Sequence, residues 1–333
     1  MNRLSSHRGP SAGRPPVPLW TRQDTVMLCR LPVAFAMASL VPESRWGTLT
    51  RFIARRRLRR RPRRAADQRA WLARYLGPET TAEDLDRLLE QQVANFRLQN
   101  LYTLRCLVPG GWRPALRLDG REWLERALAE GKGAILWVAP FVFSSLVTKM
   151  NLHHTGFPVA HLSRYNHGYS DSRLGSRLLN PIRRRAENEF IAERVTIGMG
   201  DSPKIALQRL TAWLASNRPI SIVVGARASE TRVLPFFGGR MAVATGPAKL
   251  ARRTGAPLLP VFTVRDADGT FVTAVEAPLR AEPDHPAGDP VGAMLADYAP
   301  RLEQHVRRSP EQFLWFCDIL SEVPAAEPQC SWP

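Results

Sequence analysis

Histidine is the side chain best suited to moving a proton at neutral pH, and this chain has seven. His167 follows a predicted strand, where a side chain can reach a cleft at the carboxyl edge of a parallel sheet. It is either a substitute general base or an ordinary solvated residue. His153 and His154 end a predicted helix, about 20 Å from its start, so they are too distant to serve a site there.

Serine and cysteine are the other candidate nucleophiles. Ser144 and Ser145 would need an adjacent base to attack an acyl group. The alternative is that they begin a helix and cap its backbone amides. The four cysteines lie far apart and lack the spacing of zinc or redox sites. We therefore expect neither a metal ion nor an organic cofactor.

Positive charge is concentrated near the amino terminus. The formal net charge is +17, and residues 1–64 contribute +13 of it. Nine arginines lie between 51 and 64, and this density must face water or an anionic partner because burying it would be prohibitive. Phosphate groups of lipids or of nucleic acid are the natural ligands. The arginines expected to bind a membrane are Arg55, Arg56, Arg57, Arg59, Arg60 and Arg61.

An apolar stretch at 25–41 precedes this cluster and is interrupted by Arg30 and Pro32. Seventeen residues are at the lower limit for a bilayer span, so a helix on the membrane surface fits better. A helix of the protein core is the alternative. If the stretch inserts, the arginines mark the cytoplasmic side. Nucleic acid is disfavoured, because no aromatic residues are interleaved with the arginines.

Strands and helices alternate in the rest of the chain. The sequence predicts strands at 134–140, 158–163 and 219–225, and a hairpin of strands at 257–265 and 270–279. Helices lie between them, so we expect an α/β fold with a mostly parallel sheet covered by helices.

Changes in composition divide the chain into five parts. These are a disordered tail at 1–23, a membrane-associating segment at 24–64, a helical hairpin at 65–118, the α/β domain at 119–320 and a second tail at 321–333.

Three segments resemble the lipid A biosynthesis (lauroyl/myristoyl) acyltransferases, of the wider lysophospholipid acyltransferase-like superfamily. They are GKGAILWVAPF at 131–141, LPFFGGRMAVATGPAKLARRTGAPLLPVFTVR at 234–265 and SPEQFLWF at 309–316. The resemblance implies a glycerolipid acyltransferase-like fold at the cytoplasmic face of the bacterial inner membrane. It also implies transfer of a fatty acyl chain from acyl carrier protein or acyl-CoA to a lipid hydroxyl.

The catalytic signature of that family is altered in this chain. The resemblance implies a histidine at the end of the strand predicted at 134–140. After four further residues it implies an aspartate or glutamate. Pro140 and Ser145 stand at these positions. Proline cannot accept a proton from the acceptor hydroxyl, and serine cannot support an imidazolium as a carboxylate does.

Other residues match substrate-binding positions of the family. Arg164 corresponds to a basic position that faces phosphate or acceptor headgroups, and Gly239, Thr245 and Gly246 to a loop that enters a helix. Arg183 and Arg184 belong to a basic triplet that either binds phosphate or an acidic carrier protein, or is simply solvated.

Three functions remain open from the sequence. The first is an acyltransferase-family protein, bound to an anionic membrane surface, whose catalysis is impaired by the changes at Pro140 and Ser145. The second is an active acyltransferase with an unusual base or an amine acceptor, which needs less help with deprotonation. The third, a basic nucleic-acid-binding protein, has no support from the rest of the sequence.

Overall fold

The computed structural model describes residues 17–198, 202–225, 230–279, 289–314 and 319–320. Most of the tail predicted at 1–23 and all of the tail at 321–333 lie outside the described residues. Within the first tail, Pro18 and Leu19 are fixed, because their carbonyls accept hydrogen bonds from the amides of Arg173 (2.9 Å) and Leu174 (3.0 Å).

Helices dominate the amino-terminal part. They are α1 (Arg22–Leu40), a 3₁₀ turn (Glu43–Arg45), α2 (Trp46–Arg60), α3 (Pro62–Leu76) and α4 (Ala82–Arg105). Thr21 and Asp24 form a capping box that starts α1, which continues through Pro32. Thr81 accepts a hydrogen bond from the Asp84 amide and starts α4. No helix in the described part of the chain is both long enough and apolar enough to cross a bilayer.

A seven-stranded sheet forms the centre of the fold, in the order β1-β9-β8-β2-β5-β3-β4. Its strands are β1 (Leu116–Asp119), β2 (Ala134–Val138), β3 (Ala160–Arg164), β4 (Glu193–Ile197), β5 (Pro219–Val223), β8 (Leu258–Arg265) and β9 (Phe271–Val275). All neighbouring pairs are parallel except β8 and β9. Every residue of β2 is buried, as expected for a central parallel strand.

Helices cover this sheet, so the predicted α/β fold with a mostly parallel sheet is confirmed. They are α5 (Arg121–Ala129), α6 (Ser144–His154), α7 (Arg173–Leu178), α8 (Asn180–Asn188), α9 (Pro203–Ala215), α10 (Gly246–Thr254) and α11 (Pro290–Arg308). α10 ends at Gly255, whose φ of 71° is the left-handed conformation that stops a helix. α11 is followed by a 3₁₀ turn, Pro310–Gln312.

A second, antiparallel sheet consists of β6 (Thr231–Phe236), β7 (Gly239–Ala244) and β10 (Ile319–Leu320). The strand pattern predicted neither this hairpin nor β1. β4 was not predicted either, and it is a five-residue strand only half buried. Short strands with little apolar alternation give a weak signal.

Candidate functional site

Pro140 lies in the turn between β2 and α6, at the carboxyl edge of the parallel sheet where ligands usually bind. Its side chain is buried, and its carbonyl accepts a hydrogen bond of 3.1 Å from the Leu314 amide. The Val142 amide donates to the carbonyl of Gln312 at 2.8 Å. The ring of Phe141 packs against that of Phe313, with centroids 5.6 Å apart. Residues 312–314 therefore cover the turn, and Pro140 offers no group that accepts a proton.

Ser144 is held by the backbone of this turn. Its hydroxyl lies 2.6 Å from the Phe141 carbonyl and 2.9 Å from the Ala139 carbonyl, so it donates rather than caps amides. The residue is buried and has no base beside it among the contacts of the described residues. This arrangement fixes the turn and does not suit a nucleophile.

The hydroxyl of Ser145 accepts two hydrogen bonds instead. Gln99 of α4 donates from Nε2 and Arg183 of α8 donates from Nη2, both at 2.7 Å. A partly buried hydroxyl that accepts a hydrogen bond from a guanidinium helps to hold that guanidinium in position. Arg183, predicted to bind substrate, is thus joined to the position where the family resemblance implies a carboxylate.

Arg183 also leads into a buried charge cluster around Glu187, one turn further along α8. Glu187 is fully buried, and its two carboxylate oxygens have four partners. Oε2 accepts from Lys149 Nζ at 2.7 Å and from Arg194 Nη2 at 3.0 Å, and Oε1 accepts from Arg183 Nε at 3.3 Å. The fourth partner is His167, whose Nε2 lies 2.8 Å from Oε1. We call these five residues the Glu187 cluster.

His167 is the member of the Glu187 cluster that could act as a base. Because the ionised Glu187 only accepts hydrogen bonds, the neutral imidazole carries its proton on Nε2 and leaves the lone pair on Nδ1. Its side chain is 26% exposed, so solvent or a ligand can reach the ring. The structure thus brings the predicted substitute base together with a carboxylate that the sequence analysis did not identify.

The charges of the Glu187 cluster work against protonation of that histidine. Burial lowers the pKa of His167, and repulsion from Arg183 and Lys149 lowers it further, whereas Glu187 raises it. Three cations surround a single carboxylate, so an imidazolium would add a fourth positive charge. A catalytic His–carboxylate pair has the opposite arrangement, in which the carboxylate stabilises the imidazolium.

The same charges shift the pKa values of the other buried members. Burial lowers the pKa of Lys149 to about 8, although Glu187 attracts its proton. Burial alone would raise the pKa of Glu187, but Lys149, His167 and Arg183 outweigh that effect and hold it well below its usual range. Glu187 is therefore ionised at neutral pH.

A polar cavity of about 370 Å³ lies beside the Glu187 cluster. Arg183 and Gly168, the neighbour of His167, line it together with Asn100 of α4 and Asp24 of α1. The hydroxyl of Tyr169, which also lines it, is buried and has no hydrogen-bond partner among the described residues. The volume of this cavity falls at the lower end of the range for typical ligand pockets.

An apolar groove of about 790 Å³ lies further along α1, between that helix, α4 and the α7–α8 turn. Leu31, Phe35, Leu107 and Ile182 are among its lining residues, and the exposed Arg185 also lines it. α1 therefore borders both the polar cavity and the apolar groove.

The other predicted substrate-binding residues are not members of the Glu187 cluster, although the Arg164 carbonyl accepts a hydrogen bond of 3.0 Å from the His167 amide. Arg164 is exposed at the end of β3, and Arg184 lies half-buried beside Arg183 on α8. Gly239 begins β7, and Thr245 and Gly246 lie at the start of α10. The Thr245 hydroxyl is buried without a partner in the described part of the chain.

The arginines predicted to bind a membrane differ in their exposure and in their partners. Arg55 pairs with Glu90 of α4 at 2.8 Å, and Arg57 is half-buried. Arg55 is itself exposed despite this ion pair, and the other exposed members of the set are Arg56, Arg59, Arg60 and Arg61. These four face solvent and remain available to an anionic surface.

The spacing of residues along two helices could have indicated the Glu187 cluster. Ser145 and Lys149 lie four residues apart on α6, and so do Arg183 and Glu187 on α8, which places each pair on one helix face. Arg183 and Arg184 were predicted as ligand-binding residues from their charge, without Glu187 on the same helix.

Comparison with known proteins agrees with this architecture. A family model described as bacterial lipid A biosynthesis acyltransferase matches residues 27–320, which is most of the chain. No curated protein sequence matches this chain. With the predicted resemblance confirmed over this length, the chain belongs to the bacterial lipid A biosynthesis acyltransferase family.

Proposed function

We propose that this protein is a membrane-associated member of its family that binds lipid but transfers acyl groups poorly. The observation that carries the proposal is the pair of residues at the family's catalytic positions, a buried Pro140 and a Ser145 bound to Arg183. Loss of a general base slows a reaction by about 10²- to 10⁴-fold. A thioester donor is already activated, so trace transfer is compatible with this proposal.

Lipid binding is supported by the two sites along α1. The apolar groove is large enough for a ligand and is lined mostly by aliphatic and aromatic side chains. Arg185, an exposed residue of its lining, suits the anionic headgroup of a lipid whose acyl chain lies in the groove. Acyl carrier protein or acyl-CoA would be the source of such a chain in an active relative.

Membrane association is supported by exposed apolar side chains near the groove. Leu28 and Phe35 of α1 are 52% and 42% exposed, and Leu178 of α7 is 61% exposed. An amphipathic surface flanked by arginines suits the boundary of an anionic membrane. We place the protein at the cytoplasmic face of the bacterial inner membrane, where the arginine excess of residues 1–64 would lie.

A second candidate is acyl transfer with His167 as the base. The hydrogen bond of 2.8 Å between His167 and Glu187 favours it, since it fixes one tautomer and leaves Nδ1 unprotonated. The three neighbouring cations make His167 a weak base, so this route suits an amine acceptor better than a hydroxyl.

A transfer assay separates the two candidates. The purified full chain is incubated with a fatty acyl-carrier-protein thioester and either a lipid A precursor or an amine-bearing lipid. Impaired catalysis predicts equal trace rates for the wild type and His167→Ala. Catalysis by His167 predicts turnover that His167→Ala reduces at least about 100-fold and that His153→Ala, on α6, leaves intact. Robust turnover that neither substitution affects would contradict both candidates.

A further inference from the structure

Two opposite charges line the polar cavity of about 370 Å³ without forming an ion pair. One is Asp24 of α1 and the other is Arg183 of α8. Among the described residues, Asp24 has no ion pair with any cation, and Arg183 pairs only with Glu187. A ligand that carries both a positive and a negative group could therefore contact both side chains at once.

Asp24 is the lining residue that most needs a positive partner, because it is only 1% exposed. Its Oδ2 accepts hydrogen bonds from the amide and the hydroxyl of Thr21, at 2.6 and 2.7 Å. Its Oδ1 is buried and has no hydrogen-bond partner among the described residues. A buried carboxylate is costly unless it is paired, so an ammonium group beside it would be stabilising. The exposed Asp171 adds a second carboxylate to the lining.

Three hydrogen-bond donors from different elements belong to the same lining. Arg183 donates from Nε to Glu187 and from Nη2 to Ser145, which leaves Nη1 for a ligand. The Tyr169 hydroxyl has no partner among the described residues, and burial raises its pKa, so it keeps its proton. The side-chain amide of Asn100 is the third donor. A phosphate group has three strong acceptor oxygens and could accept from all three.

We propose that the polar cavity binds a zwitterionic headgroup, with its ammonium group at Asp24 and its phosphate at Arg183 and Tyr169. A phosphate without the ammonium group would be repelled by Asp24 and Asp171. An ammonium group without the phosphate would be repelled by Arg183. Phosphoethanolamine carries both groups. A cavity at the lower end of ligand-pocket volumes suits such a headgroup and not a whole lipid.

The apolar groove lies one helical turn away from this cavity. On α4, Asn100 lines the cavity and Leu104 lines the groove. On α8, Arg183 and Leu179 are related in the same way. Residues four apart lie about 6 Å from each other on one helix face. The headgroup therefore belongs either to a lipid whose chain lies in the groove, which rests on the lipid binding proposed above, or to a soluble compound.

Isothermal titration of the full chain with O-phosphoethanolamine tests the site. We expect saturable binding, at least about tenfold tighter than that of ethanolamine or of inorganic phosphate, because each of these makes only one of the two charged contacts. No saturable binding of O-phosphoethanolamine would overturn the proposal. Equally tight binding of inorganic phosphate would overturn it as well, since the ammonium group would then contribute nothing.

Tyr169→Phe removes only the unpartnered hydroxyl of the cavity. It should weaken binding of O-phosphoethanolamine by about 2- to 10-fold and should not lower the Tm without ligand, because the hydroxyl has no partner to lose. Tyr298→Phe on α11 is the matched control. It also removes a buried hydroxyl that has no partner among the described residues, and it should bind like the wild type. Equal affinities in all three proteins would overturn the proposal.

Asp24→Asn removes the charge proposed to hold the ammonium group and keeps an oxygen that can cap α1. It should weaken binding at least about tenfold. Asp84→Asn is its control, since Thr81 and Asp84 form the corresponding capping contacts at the start of α4. The control should keep the affinity of the wild type. Unchanged binding by Asp24→Asn, or lost binding by Asp84→Asn, would contradict the site.

Vesicle flotation identifies the source of the headgroup. The vesicles contain a fixed fraction of phosphatidylglycerol and either phosphatidylethanolamine or phosphatidylcholine, whose quaternary ammonium has no N–H to donate. If a lipid headgroup is the ligand, the wild type prefers phosphatidylethanolamine and Asp24→Asn loses this preference. If the ligand is soluble, only O-phosphoethanolamine discriminates between the variants. No discrimination by either probe contradicts the site, whereas failure to bind any vesicle contradicts the proposed membrane association and not the site.

Discussion

Arg183 donates a hydrogen bond of 2.7 Å to the hydroxyl of Ser145. The family resemblance implies a carboxylate at this helix position, and a carboxylate here would lie against the same guanidinium. Arg183 instead keeps Glu187 as its acidic partner, at 3.3 Å. The guanidinium of Arg183 therefore links the altered catalytic position to the Glu187 cluster.

Replacing Ser145 with aspartate should raise the pKa of His167. The new carboxylate would face Arg183 and reduce the excess of positive charge that disfavours an imidazolium. Titration of the His167 ring by NMR measures the change. Ser145→Asn is the control, since it has a similar size and no charge. Equal pKa values in both variants would show that the cluster does not sense charge at this position.

Glu187→Gln should destabilise the fold by about 3–5 kcal/mol. The substitution leaves Lys149, Arg183 and Arg194 buried around a neutral amide, each without its counter-charge. Urea unfolding at neutral pH measures the difference. Glu189→Gln removes an exposed carboxylate at the end of the same helix and should change the free energy of unfolding by no more than about 0.5 kcal/mol. Similar losses in the two variants would contradict the assigned role of Glu187.

The free energy of unfolding should increase between pH 8 and 10. The pKa of Lys149 is about 8 in the folded protein and 10.5 in its ordinary state. In this window the unfolded chain holds more protons than the folded one, so raising the pH favours folding, by at most about 1.4 kcal/mol per pH unit. Lys149→Met should remove the increase. If the free energy of unfolding has the same slope against pH in the wild type and in Lys149→Met, Lys149 keeps its ordinary pKa on folding.

Leu178→Glu should weaken binding to phosphatidylglycerol vesicles by at least about tenfold, because burying a leucine contributes about 1.5–3 kcal/mol. Leu178 is 61% exposed beside the apolar groove. Val233→Glu is the control, since Val233 is 49% exposed on β6, in the smaller sheet. Vesicle flotation measures both. If the two variants bind equally, the surface of α1 and α7 is not the one that contacts the membrane.

The sequence predicted the strands that alternate with long helices, because a buried strand such as β2 is apolar at every position. It did not predict β4 or β6, which are half-buried and carry polar residues. It identified Pro140, Ser145, His167 and Arg183 as individual positions. The Glu187 cluster contains two of these, His167 and Arg183, and Arg183 contacts Ser145 across 38 residues of the chain. Such a contact depends on how α6 and α8 pack.

The sequence also did not predict which arginines face solvent and which pair with an acidic residue, and the reason is physical. A run of arginines on a helix turns through all directions, about 100° per residue. Arg55 therefore meets Glu90, Arg57 is half-buried, and Arg56 and Arg59 face solvent. Composition gives the amount of charge, whereas helix packing decides which guanidiniums find an acidic partner.

The rate of a single turnover tests the central claim most directly. The purified full chain, in excess over a radiolabelled acyl-carrier-protein thioester, is mixed with a lipid A precursor, and acylated product is separated over time. The account predicts product at no more than a trace above the protein-free reaction. Complete transfer of the label within minutes at neutral pH would contradict it. Pro140 and Ser145 at the family's catalytic positions would then not impair catalysis.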